Sequence, residues 1–177
     1  IEEVAHAVGM DSRIGRKFLK AGPGFGGSCF KKDILNLVYL SRYYGLNEVA
    51  DFWDNTLLIN RWQQTRIYEK VVEKLFGNLA NKNIAILGFA FKENTNDTRE
   101  SPSIEICKNL INEGAFLNIH DCKVTEETIN KDLCTENNVN KKLWSSYEEV
   151  YDALKDSHAA ITVSYTHLTL PTMAIVV

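Results

Sequence analysis

Cys29 is the side chain of this sequence best placed to do chemistry. It follows four glycines in six residues, Gly22, Gly24, Gly26 and Gly27, and opens an amphipathic stretch that continues through Phe30, Lys31, Lys32 and Asp33. Glycine has no Cβ, so such a loop can turn sharply and bring its backbone N–H groups against a ligand. The first turn of a helix leaves N–H groups unpaired and carries partial positive charge. A thiol placed there is expected to lose its proton more easily than a free cysteine, and the thiolate is the reactive form. The segment thus sets a candidate nucleophile beside a candidate anion site. Charge points the same way. Between residues 11 and 32, Arg13, Arg16, Lys17, Lys20, Lys31 and Lys32 face a single acid, Asp11, whereas residues 81 to 163 hold nine basic and fourteen acidic side chains. A basic cluster around a glycine loop suits a phosphate-bearing ligand; the alternative is a solvated helix face.

The elements that must carry these residues follow from the pattern along the chain. At 177 residues there is room for one domain or two small ones. A hydrophobic content of 45% is that of a globular protein, and a net charge of −3 gives no global case for nucleic acid or a membrane surface. The four cysteines, Cys29, Cys107, Cys122 and Cys134, form no CxxC pair, and no histidine cluster has metal-ligand spacing. A reduced, cytoplasmic setting is expected. The first residue is Ile1 rather than methionine, which leaves a preceding targeting segment open. No apolar run is long enough to span a bilayer.

Ile1, Val4, Ala5 and Val8 recur at helical spacing, with Gly9 as the stop and a short helical stretch expected after Asp11. A helix is predicted from about Cys29 to Tyr44, its buried stripe made by Ile34, Leu37, Val38 and Leu40, with Gly45 after it. Asn47 is the expected cap of a long aromatic-rich helix that meets no breaker until Gly77. A helix of that kind packs against another chain, bridges two domains or simply serves a core. At Asn81 the pattern changes. Lys82 to Phe89 reads as a buried parallel strand, Ser101 and Pro102 as the start of a helix that Gly114 ends, and Ala115 to His120 as a second strand. This is a βαβ unit with a right-handed crossover. A short helix over Thr125 to Leu133, a capping box at Ser146 and Glu149 opening a helix to about Lys155, and a third strand over His158 to Val163 complete the expectation. The loop from Gly88 to Ser101 is then the first βα loop of a doubly wound sheet, where ligands bind, and Lys92 and Arg99 in it could meet phosphates or carboxylates. The last fourteen residues, Ser164 to Val177, hold no charged residue and no turn glycine. The run SYTHLTLPT reads as the translation of a sequencing-adapter remnant and is set aside; the competing reading is a genuine exposed strand.

GFGGSCFKKDILNLVYL, INRWQQTR and KNIAILGFAFKENTNDTRES, in one register from Ile1 to about Val163, closely resemble the eukaryotic-type branch of the UDP-glucose/GDP-mannose dehydrogenase family. The resemblance implies an α/β fold truncated at both ends: a helical central dimerisation domain over residues 1–80, joined by a long helix to an incomplete Rossmann-like UDP-sugar-binding domain over 81–163, with 164–177 a non-native tail. It implies NAD as cofactor, UDP-glucose as substrate, a homo-oligomer formed through the central domain, and a two-step oxidation of the sugar alcohol to a carboxylate. By analogy Cys29 is the catalytic cysteine that forms a thiohemiacetal and then a thioester, and Asp33 orients or activates the hydrolytic water. Their i, i+4 spacing places both on one helix face. Lys20, Ala21, Gly22, Pro23, Gly24, Phe25 and Gly26 match the substrate loop, Arg13 an arginine that reaches the neighbouring subunit's sugar nucleotide, and Phe91 and Lys92 substrate contacts. Cys29, Lys32 and Arg99 match positions near the cofactor. The family's NAD fingerprint, its catalytic lysine, asparagine and glutamate, and a late substrate arginine have no counterpart here, which implies that the 177 residues alone are inactive. Lys31 stands where the family usually carries Gln, Pro23 stiffens the loop, and Asp121-Cys122-Lys123 replaces a common Asp-Pro turn.

The sequence leaves three other readings open. One is a related dehydrogenase acting on UDP-N-acetylmannosamine or GDP-mannose. Another is a non-catalytic module that dimerises or binds a nucleotide sugar. A thiol redox protein is the third, and it lacks a resolving cysteine near Cys29.

Overall fold

The structure, a computed structural model, describes residues 1–17, 19, 21–134, 143–164 and, as backbone, 175–176. Apolar residues at helical spacing form α1 (Glu2–Gly9), α2 (Phe30–Tyr43) and α3 (Asn47–Lys74). The three-residue connection makes α2 and the start of α3 a helical hairpin. Its core is small: Ile34 and Val38 from α2 meet Ala50 and Leu57 from α3, with Phe25 and Trp53 packed at the margin. The far half of α3 has a different role. Ile67, Val71 and Leu75 enter the core of the sheet beyond it. One helix of 28 residues therefore serves both cores, which is why no breaker interrupts it before Gly77.

The sheet is built from β1 (Asn83–Leu87), β2 (Phe116–His120), β3 (Trp144–Tyr147) and β4 (Ala159–Thr162), in the order β3-β2-β1-β4, with every neighbouring pair parallel. Ile86 lies level with Ile119 and Ile161, and Ile84 with Leu117 and Ala159, so one face is a continuous apolar layer. Between the strands run α4 (Pro102–Asn112), α5 (Glu126–Leu133) and α6 (Val150–Leu154). Ile106, Leu110, Ile129 and Leu133 cover the apolar layer from α4 and α5. A short β5 (Ile175–Val176) pairs antiparallel with β4, so part of the terminal segment does edge the sheet. None of the described helices is long and apolar enough to cross a membrane.

The α/β architecture matches the expectation, including Ser101 as the cap of α4, where its hydroxyl accepts from the Ser103 N–H, and Pro102 at the first helical position. Four local expectations need correction. Ser146 does not open a capping box; it lies within β3, level with Ile119 of β2, and α6 begins only at Val150. That strand has only four residues and two central serines, so its pairing with β2, not its own pattern, makes it a strand. Asn47 is the first residue of α3, not its cap; Leu46 takes that place without a side-chain bond. Gly9 ends α1 as expected, as its buried last residue, where a Cβ would press on the Arg16 backbone at 3.0 Å. The stretch after Asp11 is a single turn closed by Gly15 N–H donating to the Asp11 carbonyl. Leu37 and Leu40 of the predicted α2 stripe are exposed.

Candidate functional site

Cys29 is the N-cap of α2, and its carbonyl accepts the first helical hydrogen bond, from the Asp33 N–H at 2.9 Å. Its thiol is free, exposed and 3.6 Å from the Ser28 hydroxyl. Asp33 follows one turn along and is also exposed, as is Lys32. Among the other free cysteines, Cys122 and Cys134 are exposed, while Cys107 is fully buried in the sheet core, and that burial pushes its thiol pKa up, away from reactivity.

The glycine loop in front of Cys29 lies between two supports. On the α3 side, the Gln63 side-chain amide donates to the Gly22 carbonyl at 3.0 Å, and Asn60 bonds the Phe25 backbone twice. Pro23 is buried beneath, and Phe25 meets Phe30 edge-on at 4.8 Å. On the sheet side, the Gly27 N–H donates to the Arg99 carbonyl at 2.8 Å, and Lys31 pairs with Glu100 at 2.8 Å. Gly26 is glycine for reasons of space: a Cβ there would collide with the Glu100 carbonyl and lie 3.0 Å from the Cβ of Phe91.

The sheet-side support is the β1–α4 loop, and its rigidity comes from its own neighbourhood. The Ser101 hydroxyl donates to the Phe89 carbonyl at 2.7 Å and the Ser103 hydroxyl to the Gly88 carbonyl at 2.9 Å. Asp121, at the end of β2, accepts from the N–H groups of Phe89 and Ala90 with one oxygen and from those of Lys123 and Val124 with the other. The turn after β2 is therefore tied without the proline that the resemblance led one to expect. Arg99 is held against Asp97 by bonds from its Nε at 2.9 Å and its Nη2 at 2.7 Å. That guanidinium holds the Asp97 carboxyl below the usual carboxylate range, and Asp97 in turn raises the Arg99 pKa, first by the hydrogen bond and then by charge, with a smaller electrostatic contribution from Cys29. Lys92 projects over the Phe91 ring at 5.2 Å.

The structure thus brings Gly22, Pro23, Gly24, Phe25, Gly26, Cys29, Phe91 and Arg99 into one neighbourhood, with Ala21, Lys32, Asp33 and Lys92 exposed around it. Arg13 is paired with Asp11 at 2.6 Å, and no hydrogen bond among the described residues joins it to the glycine loop. Lys20 lies outside the described residues. The partners that sequence reasoning missed are Asn60, Gln63, Glu100 and the full role of Asp121. Asn60 and Gln63 are half-buried polar residues three and six positions after buried Leu57 on α3, which marks an inward polar face but not the loop it meets. Among the described residues, no group of three or more His, Cys, Asp or Glu side chains is placed to hold a metal ion.

Comparison with known proteins gives two successive family matches. Residues 1–62 match the central domain of the UDP-glucose/GDP-mannose dehydrogenase family, and residues 85–168 match the UDP binding domain of the same family. The chain is similar to UDP-glucose 6-dehydrogenase 3 of Arabidopsis thaliana, 54% identical over 133 residues, covering 75% of this chain and 28% of that protein. It is likewise similar to UDP-glucose 6-dehydrogenase of Drosophila melanogaster, 48% identical over 166 residues, covering 91% of this chain and 35% of that protein. Among solved structures, a UDP-glucose dehydrogenase from the hyperthermophilic archaeon Pyrobaculum islandicum aligns with a TM-score of 0.75 at 31% identity, over 92% of this chain and 35% of that one. The chain spans about a third of the length of the curated relatives it matches.

Proposed function

Because the chain belongs to the UDP-glucose/GDP-mannose dehydrogenase family, we propose that it forms the central and UDP-binding parts of an enzyme that oxidises UDP-glucose to UDP-glucuronate with NAD. The observation that carries this reading is the bond from the Gly27 N–H to the Arg99 carbonyl. It joins the loop that ends in the thiol to the loop that carries the cations. UDP-glucose is favoured over UDP-N-acetylmannosamine and GDP-mannose because relatives 54% and 48% identical are UDP-glucose 6-dehydrogenases.

The Cys29 sulfur, as thiolate, adds to C6 of the sugar at the aldehyde level and forms a thiohemiacetal. A covalent bond retains that carbon between two oxidations and prevents its escape. After the second oxidation the carbon is a thioester. Water oriented by Asp33 attacks it, the C–S bond breaks, and the carboxylate leaves as the thiol is restored. Lys20 to Gly26, Phe91 and Lys92 hold the UDP-sugar, and Arg13 reaches the sugar nucleotide of a neighbouring subunit. NAD, when bound, accepts the hydride in each oxidation. Cys29, Lys32 and Arg99 are the residues here that would meet it. Arg99 suits that role, because Asp97 occupies only its Nε and Nη2 and the side chain remains 67% exposed, so a donor is left for a phosphate.

The domain division at residue 80, a non-native tail from 164, a cytoplasmic setting and dimerisation through the helical part belong to the same proposal. For the dimer, Phe52, Leu58, Ile59 and Trp62 on α3 and Tyr39 and Tyr43 on α2 are exposed apolar surface of a kind that partners cover. The test is UDP-glucose-dependent NADH formation by a full-length enzyme containing this chain. Cys29→Ser should lower turnover by about 10³-fold or more, as loss of a nucleophile does elsewhere. Normal turnover by that variant, or preference for another nucleotide sugar in a substrate panel, overturns the reading.

A further inference from the structure

We propose that Asn60 is a positioning residue for Cys29. The inference rests on the reading of Cys29 as nucleophile and concerns a residue to which that reading gives no role. Asn60 stands on α3 and makes its hydrogen bonds to the glycine loop through its side-chain amide. Its Oδ1 accepts from the Phe25 N–H at 2.8 Å, and its Nδ2 donates to the Phe25 carbonyl at 3.1 Å. The two bonds fix the orientation of the amide, because rotating it by half a turn would set donor against donor and acceptor against acceptor.

Three further observations make the contact a clamp on the loop and not an incidental bond. The loop backbone lies directly on Asn60: a Cβ on Gly24 would sit 2.7 Å from its Oδ1. Gly24 has φ +118°, a conformation that other residues rarely adopt, so the chain is shaped to reach this partner. Phe25 is then tied forward to the thiol, since its ring packs on Phe30, the residue after Cys29. An amide that holds both polar groups of Phe25 thereby limits where the loop ends and where α2 begins. Misplacing a nucleophile by about 1 Å can cost about 10²-fold in rate.

Asn60→Asp gives the distinguishing test. An ionised Asp accepts from the Phe25 N–H but presents a second oxygen to the Phe25 carbonyl; a protonated Asp restores the donor. In full-length enzyme, turnover per titratable Cys29 thiol should fall at least ~10-fold in Asn60→Ala, within the range cited for misplacement. The ratio of Asn60→Asp to wild-type turnover should rise at least ~5-fold from pH 8 to pH 4, where a carboxyl of ordinary pKa, about 4, is half protonated. A role in general stability would lower the number of titratable thiols, not the rate at each, and would give no such rise. Turnover per thiol within twofold of wild type in Asn60→Ala, or a flat Asn60→Asp ratio, overturns the proposal. Should Asn60→Ala not fold, the Asn60→Asp ratio decides alone. Cys29→Ser, measured alongside, keeps the two claims apart: if it is active the nucleophile reading fails, and if it is inactive while the Asn60 variants run normally only the positioning role fails.

Discussion

The two loops that meet at Cys29 are held in opposite ways. The β1–α4 loop is laced from within its own domain: Ser101 and Ser103 bond the Phe89 and Gly88 carbonyls, Asp121 gathers the Phe89 and Ala90 N–H groups, and Asp97 holds Arg99. Among the described residues the glycine loop has no backbone hydrogen bond within itself and takes its shape from Asn60, Gln63 and the Arg99 carbonyl, all on other elements. The same contrast runs through the cores. The sheet buries a large apolar cluster, whereas the α2–α3 hairpin buries only Ile34, Val38, Ala50 and Leu57 and leaves Phe52, Ile59 and Trp62 exposed. One loop is a fixed platform; the other is a guest on it. The proposed nucleophile, Cys29, follows the guest loop and can be moved by changes on either support, and a local change in the platform should be felt first as lost stability.

Gly26→Ala attacks the junction between the two and should have the largest effect of any change to the way the loops are held. The new methyl has no room against the Glu100 carbonyl, so the guest loop must lift from the platform. Steady-state kinetics of the full-length enzyme should show about a 10²-fold loss in kcat/KM, with little change in melting temperature; unaltered kinetics would show that the docking is irrelevant to turnover. Asp121→Ala attacks the platform. It strips the acceptor from the backbone N–H groups of three buried residues, Phe89, Ala90 and Val124, and denaturant unfolding should report about 2–3 kcal/mol lost. A variant as stable as the parent would remove Asp121 from this role. Lys31→Gln removes the one ion pair across the junction among the described residues, whose side chains are 45% and 51% exposed. It should cost about 0–1 kcal/mol and that cost should vanish in high salt.

The smallest effect concerns the Asp97–Arg99 pair. The pKa of Asp97 is lowered in the folded protein, first by Arg99. A depressed carboxylate contributes stability that is fully present above the unfolded value of about 4 and is lost as pH falls through the folded value. Carboxyl NMR titration should find Asp97 below the ordinary range, and Arg99→Ala should return it there. A titration unchanged by Arg99→Ala would break the assignment.

Local chemistry was legible in the residues. Ser101 and Pro102 announced the start of α4, and the apolar run through Ile84 to Leu87 announced a parallel strand, because caps and burial patterns depend on neighbours in sequence. Cys29 at the head of α2 could be read for the same reason. β3 could not: Trp144 to Tyr147 becomes a strand only because β2 lies beside it. Nor could Asn60, whose partner stands 35 positions earlier in the chain.

By itself, then, the amino-acid order determined most of the segments that coil or extend, β3 excepted, which glycines open a loop and which thiol heads a helix, since each of these is decided within a few residues. The tertiary structure alone decided that Lys31 would face Glu100, 69 positions away, and that the glycine loop would rest on Arg99 and Asn60. Such meetings are chosen by the packing of whole elements, here by one long helix whose two halves belong to two cores, and no window of sequence contains both partners.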